Sequence, residues 1–525
     1  MTTNLVEVFA EQCRLRPQAS AIVESCNGRN RVSRFADLHE RSGRVAAWLR
    51  IAGVRAGDPV LIFHPMSAEL YVVLLGVFRL GAVAMFLDPS AGREHVERCC
   101  ALQPPQALIA SPRAHLLRLV SRALRSIPCK IVIGPWLPGA MPLSRADICE
   151  PLTACESCEA DTPALLTFTS GSTGRPKAAV RTHGFLLTQH RLLARHLGLT
   201  AGEVDLTTLP IFLLANLASG VTSVIPDADL RRPGGVEPGP VLEQIRHCAV
   251  TRSTASPAFF ERLLAGGGET GALGGLRKLY TGGAPVFPRL LHRLQKAAPE
   301  AQVEAVYGST EAEPIAHIRT REITEGDRTA MLQGRGLLAG APIPEIRLAV
   351  MRDRWGTPLN RLSDAEFASL VQPVDATGEI VVTGDHVLKG YLHGQGDEET
   401  KFKVEGTVWH RTGDAGLLDA SGRLWLLGRC GAEIADERGV LYPFSVECAA
   451  QEQPGVRRAA LAAVEGKRVL AVEPEGQLTA DTKRSMHDTL GWAHLAEIRA
   501  FPTLPVDARH NAKIDYVALR RMLAD

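Results

Sequence analysis

Apolar segments of strand length alternate with helical segments through the first part of the chain. The segment VSRFADLHERSGRVAAWLRIAG (32–53) has the periodicity of a helix that stops at Gly53, and the apolar run PVLIFH (59–64) follows it. The same pair recurs as ELYVVLLGVFRLG (69–81) and AVAMFLD (82–88). Strands that alternate with helices form a largely parallel sheet covered by helices. The sequence therefore predicts an α/β fold.

Beyond about Gly340 the pattern changes to strand-rich. Four strand-like runs follow one another: EIRLAVM (345–351), GEIVVTG (378–384), TVWHRTG (407–413) and RLWLLG (423–428). A short tail then alternates strand and helix patterns. We predict a large N-terminal domain (1–428) of helix-covered sheets with a β-rich subdomain, and a small, mobile α+β C-terminal domain (429–525).

The charge balance of the 525 residues limits the partners. There are 59 Lys and Arg against 57 Asp and Glu, so the net charge is +2. This gives no overall field for nucleic acid or an anionic membrane, although it leaves room for a local basic patch. The most apolar run, Leu70–Phe78, has nine residues, against the roughly 20 that a membrane span needs. We expect a small-molecule partner, no nucleic acid and no membrane span.

The cysteines indicate a reducing compartment. Their number, eleven, is odd, and they are spread from Cys13 to Cys448, which is unlike a secreted disulfide framework. Cys155 and Cys158 form a CxxC pair without a second pair at zinc-site spacing, so a reduced loop is favoured over a metal site. The N-terminal residues do not resemble a signal peptide. We expect a cytoplasmic protein.

The segment TFTSGSTGRPK (167–177) carries the strongest functional signal. It follows the strand-like run ALLTF and places glycines and hydroxyl side chains before a lysine. Glycines let the backbone approach an anion, and hydroxyl groups and an ammonium add donors. It is not a Walker A loop, because only two residues separate Gly174 from Lys177 and Ala178 follows. A Ser/Gly linker is the disfavoured alternative. The candidate phosphate ligands are Thr169, Ser170, Gly171, Ser172, Thr173, Gly174 and Lys177.

This segment resembles the phosphate-binding motif of the AMP-forming adenylating superfamily, which contains acyl-CoA synthetases, peptide-synthetase adenylation domains and luciferases. Further segments resemble the family's other motifs in the family's order. They are GVFRLGAVAMFLDPS (76–90), TGGAP (281–285), YGSTE (307–311), GEIVVTG (378–384) with GYL (390–392), RTGD (411–414), GR (428–429) and NAKID (511–515).

The resemblance implies a nucleotide site. It places adenine against the ring of Tyr307, with small residues admitting the base edge, and ribose between Asp414 and Arg429. The implied nucleotide-binding residues of these later motifs are Gly283, Ala284, Pro285, Tyr307, Gly308, Ser309, Asp414 and Arg429.

The resemblance also implies the catalytic groups and the cofactors, ATP and Mg²⁺. Glu311 is the implied Mg²⁺ ligand, and Thr310 donates to the α-phosphate. Lys513, on the mobile domain, brings its ammonium between the acid's carboxylate and the α-phosphate. A surface carboxylate and a solvated tail lysine are the alternatives for Glu311 and Lys513. If those held, the chain would be a non-catalytic nucleotide-binding relative.

A second set of segments indicates a subfamily. LPIF (209–212) through TSVIPD (222–227), YGSTEAEP (307–314) and WHRTGD (409–414) resemble the β-lactone synthetases of bacterial long-chain olefin biosynthesis. The resemblance implies that a hydrophobic β-hydroxy fatty acid is adenylated and then closed to a β-lactone by its own hydroxyl group. Other enzymes of a hydrocarbon pathway are conceivable partners.

The main alternative is a fatty acyl-CoA or acyl-carrier-protein ligase. Thioester-forming members commonly have a Gly-Gly pair where this chain has Glu437 and Arg438, which disfavours that alternative. We expect the acid pocket to draw on Phe212 to Asn216 and on residues after Glu311. His410 is a candidate base for the hydroxyl group, although a strand-surface histidine is the simpler interpretation.

Overall fold

The computed structural model describes residues 4–26, 29–88, 91–170, 176–267, 271–507 and 513–524. The chain divides into two compact units, Met1–Asp227 with Leu388–Asp397, and Ala228–Val387 with Glu398–Asp525. The predicted boundary between residues 428 and 429 lies inside the second unit, and a hinge there stays a prediction.

The first unit contains a seven-stranded sheet and a second group of four strands. Its strands are β1 (Ser20–Cys26), β2 (Arg29–Arg34), β3 (Pro59–Phe63), β4 (Val83–Phe86), β5 (Ala107–Ala110), β6 (Cys129–Val132), β7 (Met141–Pro142), β8 (Pro163–Ser170), β9 (Pro176–Thr182), β10 (Val204–Thr207) and β11 (Thr222–Ile225). The seven-stranded sheet has the order β7-β6-β5-β3-β4-β8-β9, and the other four strands have the order β10-β11-β1-β2.

Helices separate most of these strands along the chain. They are α1 (Val6–Leu15), α2 (Phe35–Ile51), α3 (Ala68–Arg79), α4 (Arg93–Leu102), α5 (Pro112–His115), α6 (Arg122–Ser126), α7 (His183–His196) and α8 (Pro210–Ser219). The predicted alternation is confirmed, since strands β3 to β6 and β8 of the seven-stranded sheet pair in parallel, while β9 pairs antiparallel with β8. Helix α2 ends at Ile51, and Gly53 follows with φ of +96°, a conformation that glycine adopts readily.

The second unit combines a large mixed sheet with the C-terminal elements. Its strands are β12 (Arg252–Ala255), β13 (Lys278–Gly282), β14 (Gln302–Ser309), β15 (Ala312–Arg319), β16 (Leu337–Pro342), β17 (Arg347–Met351), β18 (Arg361–Leu362), β19 (Gly378–Thr383), β20 (Lys401–Val404), β21 (Thr407–Leu418), β22 (Leu424–Arg429), β23 (Ile434–Asp436), β24 (Gly439–Leu441), β25 (Val456–Val464), β26 (Lys467–Pro474) and β27 (Glu497–Ala500). Strands β12, β13 and β14 are parallel, and β14-β15-β16-β22-β21-β19-β17 continue antiparallel.

The helices of the second unit are α9 (Pro238–His247), α10 (Pro257–Ala265), α11 (Pro288–Ala297), α12 (Glu325–Leu332), α13 (Asp364–Leu370), α14 (Asp397–Thr400), α15 (Pro443–Gln451), α16 (Ala480–Thr489) and α17 (Tyr516–Ala524). The strand-rich region predicted beyond Gly340 is confirmed by strands β17 to β22.

The C-terminal residues build their own core around the sheet β25-β26-β27. Alternate residues of β25 face opposite sides, as expected for a strand. Leu461 packs in one apolar cluster with α15 and α16, and Ala460 packs in another with Leu519 of α17. Both faces of this small sheet are therefore covered, as the predicted α+β character requires.

Neither a membrane span nor a metal cluster is found in the described part of the chain. No described helix is both long and apolar enough to cross a bilayer. No group of three His, Cys, Asp or Glu side chains among the described residues is placed to hold a metal ion. The eleven cysteines form no disulfide, and a reduced loop at Cys155 and Cys158 stays a prediction.

A buried ion pair joins β19 to β21. The guanidinium of Arg411 donates to both carboxylate oxygens of Glu379, each at 2.7 Å, and also to the carbonyl oxygen of Thr357 at 2.8 Å. Neither charged side chain is exposed. Arg411 belongs to the RTGD motif, so this pair holds β21 in place where the motif begins.

We expect the substitution Glu379→Gln to lower the free energy of unfolding by about 3–5 kcal/mol, because it leaves a buried guanidinium without its counter-ion. The measurement is urea denaturation followed by circular dichroism. Asp481→Asn is the matched control, since its pair with Arg484 is exposed and contributes less than about 1 kcal/mol. Equal small effects of the two substitutions would contradict a structural role for the buried pair.

Candidate active site

Three of the predicted nucleotide-binding side chains meet in the second unit. The register of β21 and β22 sets Asp414 opposite Arg429, and their side chains pair with 3.3 Å between Oδ1 and Nε. The hydroxyl group of Tyr307 on β14 donates to the other carboxylate oxygen of Asp414 at 2.7 Å. Asp414 is therefore the centre of a three-residue network, with one oxygen for each neighbour.

Thr412 supports this network from the same strand. Its hydroxyl group donates to the carbonyl oxygen of Ile380 at 2.9 Å and accepts from the backbone N–H of Asp414 at 3.1 Å. Its carbonyl oxygen accepts from Nη1 of Arg429 at 3.0 Å. Thr412 thus fixes the backbone of one partner and the side chain of the other.

The charges of the network stabilise one another. The carboxylate of Asp414 raises the pKa of Arg429 above its usual value. Burial, followed by the negative charge of Asp414, raises the pKa of Tyr307 well above its usual value. Tyr307 therefore stays a neutral donor at physiological pH, with an aromatic ring available for stacking.

The turn between β14 and β15 carries the predicted catalytic residues Thr310 and Glu311. The strands pair with Ser309 opposite Ala312, and the register shifts next to Gly308. The hydroxyl oxygen of Ser309 accepts the backbone N–H groups of Glu311 at 3.2 Å and of Ala312 at 3.3 Å. Ser309 therefore shapes the turn that presents Glu311, which is half-buried.

The predicted adenine-side loop begins where β13 ends. Gly282, the last residue of β13, lies opposite Val306 in β14, so the loop 283–285 starts beside Tyr307. A Cβ atom on Gly282 would lie 2.5 Å from the carbonyl oxygen of Val306, closer than contact allows. Gly283 has φ of +79°. Gly282 is needed for this close approach, and the positive φ of Gly283 is a conformation that glycine adopts readily.

Lys513 shares the electrostatic environment of this site. Burial and the positive charge of Arg429 lower its pKa, and the carboxylates of Asp414, Asp507 and Glu311 oppose that shift. Its backbone pairs with Asp507, which accepts the N–H of Lys513 on Oδ1 at 3.2 Å and donates its own N–H to the carbonyl oxygen of Lys513 at 2.9 Å. Asp507 thus positions the lysine.

The interpretation of His410 as a strand-surface histidine is wrong. His410 is 3% exposed and lies opposite Lys401 of β20, one of the two strands that flank β21. Burial, reinforced by the charge of Lys401, lowers its pKa to about 3. A neutral imidazole with so low a pKa is a weak base, which disfavours His410 as the base for the hydroxyl group.

The phosphate motif lies between the paired strands β8 and β9 of the first unit. Gly171, Ser172, Thr173 and Gly174 lie outside the described residues. Only the backbone of Thr169 and Ser170 is described, with Thr169 opposite Lys177 and Ser170 opposite Pro176.

Lys177 is buried among residues of the first unit. Its side chain is 7% exposed, and its ammonium lies 5.9 Å from the ring centroid of Tyr391, within the range of a cation–π contact. A Cβ atom on Gly396, which has φ of +93°, would lie 2.4 Å from the lysine chain. Tyr391 belongs to the GYL motif, so two separate motifs meet here.

Glu311 fits Mg²⁺ better than a transition metal. It is one half-buried carboxylate, and the described residues contain no cluster of three metal-ligating side chains. Mg²⁺ is usually held by one or two carboxylates together with substrate phosphates and water. The donor set is therefore suitable for a magnesium nucleotide.

Sequence reasoning missed the supporting residues Thr412 and Asp507. Thr412 lies inside the RTGD motif, so its position in the sequence could have indicated a role at the site. Asp507 lies six positions before Lys513 and reaches it because the backbone bends back between them. No pattern in the sequence indicates that contact.

The chain is similar to known proteins over most of its length. The family model described as AMP-binding enzyme matches residues 9–392. The chain is 33% identical to an olefin beta-lactone synthetase of Stenotrophomonas maltophilia strain K279a, over 97% of this chain and 96% of that protein. It is 32% identical to an olefin beta-lactone synthetase of Xanthomonas campestris pv. campestris, over 91% and 89%.

The fold has a close counterpart among solved structures. The crystal structure of the anthranilate CoA ligase AuaEII in complex with anthranoyl-AMP matches with a TM-score of 0.84, at 19% identity, over 99% of this chain and 97% of that one. The family match, which spans well over half of the sequence, decides the assignment: the chain belongs to the AMP-binding enzyme family.

Proposed function

We propose that this protein activates a hydrophobic β-hydroxy fatty acid with ATP and closes it to a β-lactone, releasing AMP and pyrophosphate. The observation that carries the proposal is the 33% identity to an olefin beta-lactone synthetase over nearly the full length of both chains. The network around Asp414 supplies the polar groups that a nucleotide requires.

In the first step a carboxylate oxygen of the acid attacks the α-phosphorus of ATP. The bond from that phosphorus to the bridging oxygen breaks, and pyrophosphate leaves with the electron pair. Negative charge builds on the α-phosphate, and we assign its stabilisation to the ammonium of Lys513 and the hydroxyl group of Thr310. Preorganised donors of this kind commonly account for a large part of rate acceleration.

The nucleotide is held by residues of several motifs. We assign adenine to the face of Tyr307 and ribose to Asp414 and Arg429, with the loop 283–285 at the base edge. Lys177 and the phosphate motif are assigned to the phosphates. Glu311 would hold Mg²⁺, which supplies charge neutralisation for the phosphates when bound.

In the second step the β-hydroxyl oxygen attacks the acyl carbon of the acyl-adenylate. The four-membered ring closes, AMP leaves with the electron pair of the acyl–oxygen bond, and the hydroxyl proton passes to a base or to water. Because the nucleophile belongs to the same molecule, the step exploits proximity and needs no second bound substrate.

The hairpin β23–β24 is consistent with a reaction that does not use a thiol. Glu437 and Arg438 form its two-residue turn and are exposed. The turn is braced because Asp436 accepts the N–H of Arg438 at 2.9 Å and pairs with Arg468 at 2.7 and 2.8 Å. Two charged side chains therefore stand where thioester-forming relatives commonly have glycines.

We also propose that the segment 429–525 rotates about a hinge near residue 429 and carries Lys513 with it between the two steps. Enzymes that supply the β-hydroxy acid and consume the lactone are proposed partners in the cytoplasm.

The substrate prediction is tested with ATP, Mg²⁺ and a long-chain β-hydroxy acid, with and without CoA. We expect pyrophosphate and a β-lactone in both mixtures, identified by mass spectrometry. A product that forms only with CoA, as a thioester, would support the acyl-CoA ligase instead. Absence of pyrophosphate with every acid tested would indicate a non-catalytic relative.

The substitution Asp414→Asn should raise the KM for ATP about 10- to 100-fold, because it removes charge-assisted hydrogen bonds worth about 1.5–3 kcal/mol. Tyr307→Phe, which keeps the ring but removes its hydroxyl group, is the comparison and should change the KM less. Pyrophosphate exchange measures both. A KM within twofold of wild type for Asp414→Asn would remove this residue from the nucleotide site.

The substitution Lys513→Ala should reduce the adenylation kcat by about 10²–10³-fold while ATP binding persists. The pKa of Lys513 is lowered, and only the protonated amine carries charge. Wild-type activity should therefore fall as the pH rises through the pKa of this lysine. Lys513→Arg keeps the charge and should move this alkaline limb to higher pH. Unchanged adenylation in Lys513→Ala would exclude the lysine from the chemistry.

A further inference from the structure

A long segment of the first unit is basic and contains no acidic residue. From Arg98 to Arg145 the chain has no Asp or Glu, in a protein whose overall net charge is only +2. The basic residues of the segment are Arg98, Arg113, Arg118, Arg122, Arg125, Lys130 and Arg145. The overall charge balance therefore conceals a strong local excess of positive charge.

The same segment exposes large apolar side chains. Leu116, Leu119 and Val120, between α5 and α6, are 57%, 73% and 54% exposed, and Trp136, after β6, is 65% exposed. Single exposed apolar residues are common on protein surfaces, but a cluster beside basic residues marks an interaction site.

Arg118 joins these parts into one surface. Its guanidinium donates to the carbonyl oxygens of Pro138 and Gly139, each at 2.9 Å. This holds the loop that carries Trp136 beside the turn Leu116–Leu119. Arg125 donates to the carbonyl oxygen of Leu119 at 3.4 Å from the following helix. We call residues 113–125 with Trp136 the basic apolar surface.

The positive charge of this surface is not neutralised by nearby carboxylates. The adjacent helix α4 carries Glu94 and Glu97, which pair with Arg98 and Arg93 of the same helix. Glu97 also accepts the backbone N–H of Arg122 at 3.1 Å. Within the part of the chain that the structure describes, no ion pair joins a carboxylate to any of the four arginines of the surface, which are Arg113, Arg118, Arg122 and Arg125.

The basic apolar surface follows the carboxyl ends of β5 and β6. These strands are parallel to β8 through β3 and β4, and the last residues of β8, 167–170, are the first residues of the phosphate motif. The surface and that motif therefore share one edge of the sheet. Three strand spacings separate β5 from β8, about 14 Å.

We propose that the basic apolar surface docks the protein on an anionic lipid bilayer. Arginines attract anionic headgroups, while exposed leucines and a tryptophan enter the interfacial layer. An acidic protein surface would match the charges but would give the protruding apolar side chains no comparable environment. Docking would hold the protein at the surface where long-chain acids partition. This inference does not depend on which acid is activated.

The test is co-sedimentation of the full chain with vesicles of phosphatidylcholine alone and of phosphatidylcholine with phosphatidylglycerol. We expect binding to the anionic vesicles that weakens with added salt. Each arginine near such a surface contributes about a fivefold factor in affinity, so the double substitution Arg122→Gln with Arg125→Gln should weaken binding about 25-fold.

One further variant tests the apolar contribution to vesicle binding, and another is the control. Leu119→Ser with Trp136→Ser should also weaken binding, because it removes the apolar contacts. Arg14→Gln with Arg50→Gln, two exposed arginines of other helices, is the matched control and should bind as wild type.

The outcomes distinguish this proposal from the proposed function. All these variants should adenylate a short, water-soluble acid at the wild-type rate, since none lies in the active site. Failure of the wild-type protein to bind anionic vesicles, or equal loss in the control, would overturn the docking proposal. So would capture of an acidic protein without vesicle binding. Absence of adenylation activity in the wild-type protein would contradict only the proposed function.

Discussion

The pairing of Asp414 with Arg429 across β21 and β22 is the constraint on which the candidate site depends. The register of the two strands sets these side chains opposite each other, and Asp414 gives Tyr307 an acceptor. The same carboxylate and guanidinium set the local potential at Lys513, one raising the pKa of the amine and the other lowering it. A change at this pair therefore shifts the pKa of Lys513, which burial already lowers.

The same pair explains why so much of the site could be predicted from the sequence. RTGD lies within β21 and GR at the end of β22, and the two strands are consecutive and antiparallel, so the chain brings the two motifs back alongside each other. The turn residues Ser309 and Glu311 lie within one short motif. The helix–strand alternation of the first unit was predictable because its strands are buried and uninterrupted.

The sequence did not predict contacts that arise only from tertiary folding. The polar residues from His410 to Asp414 are typical of an exposed strand, yet the imidazole of His410 is buried. Asp507 approaches Lys513 through a bend of the backbone that leaves no periodic signal. The burial of Lys177 against Tyr391 joins two motifs far apart in the chain, and only their presence in one family suggested that both mattered.

In the proposed reaction the carboxylate of the acid, and not its hydroxyl group, attacks the α-phosphorus of ATP. The most direct test uses a β-hydroxy acid labelled with ¹⁸O in both carboxylate oxygens and measures the products by mass spectrometry. We expect one ¹⁸O atom in AMP, none in pyrophosphate and one in the lactone carbonyl. AMP without label and a lactone that retains both labelled oxygens would contradict the proposed attack.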